Sequence, residues 1–165
     1  MMKNYYAGWL LCLTAAACVQ AQEQATPLQQ VMNVIGSPKA YGATGAQLMQ
    51  QLAPACKPST LDQRTQYKRG NVECVAAVGA DVFSVSPEDG KVTLIQAKFA
   101  GAAHCDEFKQ VLIKNFGKPG KSSGACALTW RLAPDSKSGA ARQIELEASA
   151  ADDKLSYTLS EEKGP

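Results

Sequence analysis

The last third of the chain carries three segments in which apolar and polar residues alternate. The apolar positions are Cys126, Leu128, Trp130 and Leu132, then Ile144, Leu146 and Ala148, and then Leu155, Tyr157 and Leu159. Successive side chains of a β-strand point to opposite faces of the sheet, so each segment has one apolar and one polar face. This pattern is typical of an antiparallel sheet that is covered on one side and exposed to water on the other. It predicts that helices elsewhere in the chain cover the apolar face.

The helix that best fits this role is predicted over residues 105–116. Its apolar face consists of Phe108, Val111, Leu112 and Phe116. Gly117 and Pro119 end it, because glycine suits the residue after a helix and proline cannot continue one. Periodicity and turn residues further predict helices over residues 27–35 and 46–53, a loop over residues 36–45, and strands near residues 72–78, 82–86 and 92–99. The predicted fold class is α+β, with an antiparallel sheet of five to six strands covered on one face by two or three helices.

The N-terminal residues have the order of a secretory signal. Lys3 precedes an apolar run over residues 7–19 that is too short for a stable membrane span and is followed by a small residue, Ala21. We expect a signal peptide over residues 1–21, which directs the protein to the periplasm or outside the cell. An alternative stays open, because the residues before Cys18 resemble a bacterial lipobox. Lipidation of Cys18 would anchor the protein at the outer membrane.

Four cysteines follow the predicted leader, at positions 56, 74, 105 and 126. In an exported chain an even number of cysteines predicts a disulfide framework, here of two bridges. Three pairings are open, and we favour Cys56 with Cys74 and Cys105 with Cys126, because each pair then ties a helix to the next strand. A zinc site is the alternative, but the sequence has no C-x-x-C spacing, so we expect no metal.

The domain organisation follows from these landmarks. An N-terminal helix and linker is predicted at residues 22–45, a single disulfide-stapled domain at residues 46–160 and a tail at residues 161–165. The spacing between the first and third cysteines is close to that between the second and fourth. Two interpretations remain open, a tandem helix-plus-meander repeat and two independent disulfides at similar spacing.

Charge and composition bear on the class of partner. The formal net charge is only +2, and aromatic residues make up 7% of the chain. Nucleic-acid binding domains concentrate positive charge on one face, so this composition excludes nucleic acid as the expected partner. We expect another envelope or secreted protein as the partner, and membrane contact only through a lipid at Cys18.

Catalysis is not indicated by the residues that could carry it. The one histidine, His104, precedes Cys105, Asp106 and Glu107, but consecutive residues at the start of a helix point in different directions. A disulfide-bonded Cys105 has no thiolate to act as a nucleophile. The sequence contains no G-x-S-x-G, H-E-x-x-H or P-loop motif. We therefore predict a protein that is not an enzyme and needs no cofactor.

The polar face of the predicted sheet is the remaining candidate site. Its predicted binding residues are Thr129, Arg131, Gln143, Glu145, Glu147 and Thr158, with Ser156 and Ser160 beside them. Charges of both signs are mixed with hydroxyl and amide groups, which suits a specific polar interface with a protein better than a lipid pocket. An ordinary solvated sheet face is the alternative interpretation.

The chain resembles small bacterial envelope proteins built from a helix and a three-stranded meander. The resemblance rests on the helix from Phe108 to Phe116, the Gly117-Lys118-Pro119 stop, Leu128-Thr129-Trp130 and the two amphipathic strands that follow, within residues 46–160. Two such groups are the SmpA/OmlA-type outer-membrane assembly lipoproteins and the β-lactamase inhibitor protein, of which the second carries the unit as a tandem repeat. The resemblance implies a non-enzymatic protein-binding domain. The leading hypothesis is an inhibitor or immunity factor for a secreted enzyme, and the alternative is an envelope lipoprotein with a structural role in outer-membrane assembly.

Overall fold

The computed structural model describes residues 25–56, 71–74, 79–85, 90–134 and 139–162, with the backbone alone at residues 71–74 and 162. The helices are α1 (Pro27–Ile35), α2 (Pro38–Gly42), α3 (Gly45–Leu52) and α4 (Cys105–Phe116), the last preceded by a 3-10 turn at Ala102–His104. The strands are β1 (Asn71–Cys74), β2 (Ala80–Val85), β3 (Leu94–Ala100), β4 (Lys121–Ser122), β5 (Ala127–Leu132), β6 (Ala141–Ser149) and β7 (Lys154–Glu162). The predicted signal peptide and the predicted lipidation at Cys18 lie outside the described residues.

α1 and α3 each begin with a capping box. The Thr26 hydroxyl accepts a hydrogen bond from the Gln29 N–H, and the Gln29 side chain accepts one from the Thr26 N–H. Thr44 and Gln47 make the same pair of bonds at the start of α3. These bonds satisfy amide groups that have no partner within the helix. The structure confirms the three predicted helices to within one residue at each end.

The prediction of a loop at residues 36–45 is wrong, because α2 lies within it. The Ser37 hydroxyl accepts a hydrogen bond from the Lys39 N–H, and Pro38 occupies the first helical position. Both features favour the start of a helix. The turn of helix places Tyr41 in the core with 3% of its surface exposed. The segment was predicted as a loop because it is rich in glycine and proline and too short to show helical periodicity.

The strands form one antiparallel sheet in the order β1-β2-β3-β7-β6-β5-β4. Six of the described strands have four or more residues, which is the upper number of the predicted five to six, and the two-residue β4 adds a seventh. Strands β1 to β3 form a first meander, and β4 to β7 form a second. The last strand of the first, β3, pairs with the last strand of the second, β7. The predicted α+β class and its antiparallel sheet are confirmed.

The core lies between the helices and one face of this sheet. Phe108 of α4 stacks edge-on against Phe99 of β3, with ring centroids 5.5 Å apart, and its centroid lies 5.0 Å from that of Tyr157 of β7. Trp130 and Tyr157 are both 1% exposed, which confirms the prediction that they belong to the core. Val31 of α1 is also fully buried, so the N-terminal helices pack on the same core as the strands.

One disulfide is described with both of its partners. It joins Cys105, at the start of α4, to Cys126, the residue before β5, as the sequential pairing predicts. Cys56 is buried and disulfide-bonded as well. The side chain of Cys74 lies outside the described part of the chain, so its pairing with Cys56 stays a prediction. The structure therefore shows one complete bridge of the predicted two.

A hydrogen bond from Tyr157 joins the sheet to the end of α1. The hydroxyl donates to the carbonyl of Ile35 at 2.9 Å. Burial raises the pKa of the Tyr157 hydroxyl far above its ordinary value, so this group remains a neutral donor. The bond also satisfies a carbonyl at the last turn of α1, where helical partners are absent.

The substitution Tyr157→Phe should lower the free energy of unfolding by about 1.5 kcal/mol, because it leaves the buried Ile35 carbonyl without its donor. Urea denaturation followed by circular dichroism measures the change. Ser156→Ala, on the opposite face of the same strand, is the matched control and should stay within about 0.5 kcal/mol of the parent. Equal stability of Tyr157→Phe and the parent protein would show that the bond does not contribute.

Candidate functional site

The side of the sheet opposite the helices is the candidate site, and we call it the open face. Every predicted binding residue lies on it, because the core positions Leu128, Ile144 and Tyr157 alternate with those residues along their strands. Arg131, Glu145 and Glu147 are exposed, and the other predicted binding residues are half-buried. The prediction that these side chains share one face is therefore confirmed in their placement, while their role in binding stays a prediction.

The register of the strands brings the predicted residues together. Glu145 of β6 lies between Thr129 of β5 and Thr158 of β7, each being its cross-strand partner. Gln143 in turn lies beside Arg131. Side chains directly opposite one another in a sheet are about 5 Å apart, so these groups form one continuous surface. The Gln143 side-chain nitrogen donates to a Glu145 carboxylate oxygen at 2.6 Å, which holds that carboxylate in place.

The open face continues over β3 and β2, which the sequence did not indicate. Thr158 lies opposite Gln96, and Gln96 lies opposite Phe83. Val85 and Leu94 are cross-strand partners and, like Phe83, are half-buried on this face. We call Phe83, Val85 and Leu94 the apolar end of the open face. Its signal in the sequence is the apolar residues at both alternating positions of β2.

The charge of the polar side chains on the open face differs from strand to strand. Arg131 carries positive charge on β5, Glu145 and Glu147 carry negative charge on β6, and Ser156, Thr158 and Ser160 form a row of hydroxyls on β7. On the far side, Asp81 of β2 and Lys98 of β3 are cross-strand partners of opposite charge. Neighbouring strands are about 4.8 Å apart, so the surface from β5 to β2 is about 19 Å wide.

His104 lies at the N-terminus of α4, immediately before the first residue of that helix. Its Nδ1 is 3.4 Å from a carboxylate oxygen of Glu107, and the two side chains are 39% and 34% exposed. Asp106 is paired with Lys109 at 3.8 Å. Cys105 is held in the disulfide. His104 and Glu107, three positions apart, therefore contact each other, whereas Cys105 and Asp106 have other partners. The four consecutive side chains do not all converge on one point.

Three structural and comparative findings complete the description of the site. Within the described ranges, no cluster of three or more His, Cys, Asp or Glu side chains is placed to hold a metal ion. None of the described helices has the length and apolar composition needed to cross a membrane.

No protein-family model, curated protein or solved structure matches the chain. The resemblance to envelope lipoproteins and to the β-lactamase inhibitor protein therefore stays a prediction from the sequence.

Proposed function

We propose that the protein is an exported, non-enzymatic binding protein whose open face docks another protein, as an inhibitor or immunity factor for a secreted enzyme. The observation that carries this proposal is the one-sided packing of the sheet. Helices cover one face, and the other presents polar and apolar side chains on rigid, paired strands. The backbone of paired strands is already ordered before binding, so docking on it loses little backbone freedom, which favours a specific interface.

The composition of the open face supports docking to a protein. The apolar end supplies Phe83, an aromatic side chain of the kind that anchors protein interfaces. Hydroxyl and amide groups next to it, such as Thr158 and Gln96, can hydrogen-bond a partner while remaining solvated in its absence. A binding surface with an apolar area beside polar, water-accessible groups has the anatomy of a non-obligate interface.

The carboxylates of the open face fit binding better than catalysis. Glu145 and Glu147 are exposed on a solvent-facing strand. Catalytic carboxylates work in buried or closely paired environments that separate their protonation states. Here Glu145 lies opposite Thr129 and Thr158 and accepts a hydrogen bond from Gln143, and these are groups suited to hydrogen bonding. The proposal accordingly involves no reaction and no cofactor.

A structural role as an envelope lipoprotein is the second candidate function, and the lipobox-like residues before Cys18 favour it. Intact mass of the protein purified from its own envelope distinguishes the two forms of the N-terminus. A mass that fits cleavage after Ala21 supports a soluble periplasmic or secreted protein. A lipid-modified N-terminal Cys18 supports the structural candidate and contradicts a freely diffusing inhibitor.

Substitution at the centre of the open face tests the docking proposal. We expect Thr158→Arg to weaken capture of a partner enzyme from envelope extract by about 30-fold, because a bulky charge at the centre of an interface costs about 2 kcal/mol. Gln110→Arg, on the exposed side of α4, is the matched control and should capture the partner as the parent does. Binding is measured by titration with the recovered partner, and activity of that partner should fall when the parent protein is added.

Two outcomes would contradict this proposal. Equal affinity of Thr158→Arg and Gln110→Arg for the recovered partner would eliminate the open face as the docking surface. Recovery of outer-membrane assembly components instead of a soluble enzyme would favour the structural candidate over the inhibitor.

A further inference from the structure

A groove lies at the edge of the sheet where α4 ends and the chain passes through β4 into β5, and we call it the edge groove. Its volume is about 560 Å³. Lys118, Lys121, Arg131 and Glu145 line it together with Phe116 and Gln143. It opens onto the β5 side of the open face, because Arg131 and Glu145 belong to both. The groove therefore extends the proposed docking surface around the edge of the sheet.

The described side chains that line the edge groove carry more positive than negative charge. Lys118, Lys121 and Arg131 are exposed cations, and among these described lining residues Glu145 is the carboxylate. That carboxylate accepts a hydrogen bond from Gln143 at 2.6 Å. Lys118 and Lys121 alone outnumber the one carboxylate among the described lining residues, and charges of one sign in a concave surface reinforce each other's field.

The groove also has an apolar part. Phe116, the last residue of α4, is half-buried and lines the groove. It is held near β5 because the next residue, Gly117, accepts a hydrogen bond from the indole of Trp130 at 2.8 Å. Gly117 has a positive φ of 78°, which glycine adopts at little cost and which turns the chain out of the helix. The aromatic ring of Phe116 thus lies beside the cations of the edge groove, and the hydrogen bond between Trp130 and Gly117 fixes its position.

We infer that the edge groove binds an acidic, extended segment of the protein partner, with carboxylates against Lys118, Lys121 and Arg131 and an apolar side chain against Phe116. The inference rests on the proposed function, since it names the chemistry of the partner that docks on the open face. Charge complementarity selects carboxylates, and such charges mainly raise the association rate and the specificity of an encounter.

An acidic polypeptide fits this surface better than a polyanion such as a nucleic acid or a sulfated polysaccharide. Glu145 and Glu147 lie on β6, the strand that pairs with β5 and its Arg131. A polyanion has charge at every repeat and would be repelled as it passed from the groove onto β6. A polypeptide can place its carboxylates in the groove and other residues against the acidic strand, so its charge pattern can match both.

A short peptide in which glutamate alternates with leucine tests the inference on the full folded protein. Titration at low salt, followed by backbone amide shifts in NMR spectra, should move the signals of residues 118–121 and 129–131 first. Lys121→Glu and Arg131→Glu should each weaken binding of this peptide about tenfold, because each replaces an attraction by a repulsion. Lys39→Glu reverses an exposed lysine on α2 and is the matched control, with expected affinity within about twofold of the parent.

Each remaining outcome overturns the inference. The inference fails if the peptide causes no shifts near the groove, or if a peptide with lysine in place of glutamate binds equally well. It also fails if Lys39→Glu loses as much affinity as the groove variants, or if heparin binds the same residues more tightly than the glutamate peptide does. The proposed function fails independently of them. If Thr158→Arg weakens capture of the protein partner while Arg131→Glu and Lys121→Glu leave it unchanged, the open face docks the partner and the edge groove does not contribute.

Discussion

Replacing Phe108 by alanine should lower the free energy of unfolding by about 4 kcal/mol, which is a large part of the stability of a domain this size. The ring is fully buried and lies 5.0 Å and 5.5 Å from the rings of Tyr157 and Phe99. These residues belong to β7 and β3, the strands at which the two meanders meet. Loss of the ring would leave a cavity between α4 and the middle of the sheet. Urea denaturation followed by circular dichroism measures the effect.

The matched control for Phe108 is Gln110→Ala on the exposed side of the same helix. It changes helix propensity and removes no buried contact, so the free energy of unfolding should stay within about 0.5 kcal/mol of the parent. Phe108→Leu should lie between the two, because it keeps most of the buried volume. A loss below about 1 kcal/mol in Phe108→Ala would contradict the packing of α4 on the sheet.

Removing the bridge between Cys105 and Cys126 should lower the free energy of unfolding by about 3 kcal/mol. The two cysteines are 21 positions apart in the sequence, and their Cα atoms are 6.2 Å apart in the structure. The bridge restricts the unfolded chain over the segment that holds all of α4, so its loss stabilises the unfolded state relative to the folded one. The double substitution Cys105→Ala and Cys126→Ala isolates this bridge, and denaturation of the oxidised proteins measures the change.

Reduction of the parent protein provides the comparison for the double substitution. Because Cys56 is also disulfide-bonded, reduction should destabilise the parent further than the double substitution does. Reduction of the double variant should then lower its stability again. Unchanged stability of the double variant before reduction would contradict a structural role for the bridge at α4.

Helix α4 and the last three strands were predictable because their signals are local. In α4, Phe108 and Leu112 are buried in the core, and Val111 and Phe116 pack against it. Gly117 ends the helix as expected. In β5, β6 and β7, alternation separates the core positions from those of the open face. For this reason the six predicted binding residues could be assigned to one surface before the structure was known.

The first half of the sheet was not predictable in the same way. In β2, Ser84 is buried and Phe83 is half-buried on the open face, although hydrophobicity alone would exchange them. The pairing of β2 with β3 determines which side chains of β2 face the core, since it places Ser84 opposite the fully buried Ile95. A shift of one residue in register would turn every side chain of β2 to the other face.

The edge groove depends on contacts between residues that are distant in the sequence. Lys121 lies opposite Thr129 through the short pairing of β4 with β5, and Thr129 lies opposite Glu145 of β6. No local pattern identifies a two-residue strand such as β4 or indicates which strands are its neighbours. The cluster of Lys118, Lys121 and Arg131 could therefore be found only once the strands had been assembled.

The amino-acid sequence alone determined where most helices and strands lie and which side of β5, β6 and β7 faces the core. It favoured the pairing of Cys105 with Cys126 among three open pairings, and the structure confirms that pairing. These properties follow from periodicity, end signals and the order of cysteines along the chain. The tertiary structure decided the order of the strands, the meeting of β3 with β7, the face of Phe83 and the formation of the edge groove. Hydrogen bonding between remote segments sets the order and register of strands, and local alternation of residues carries no information about which strands are neighbours.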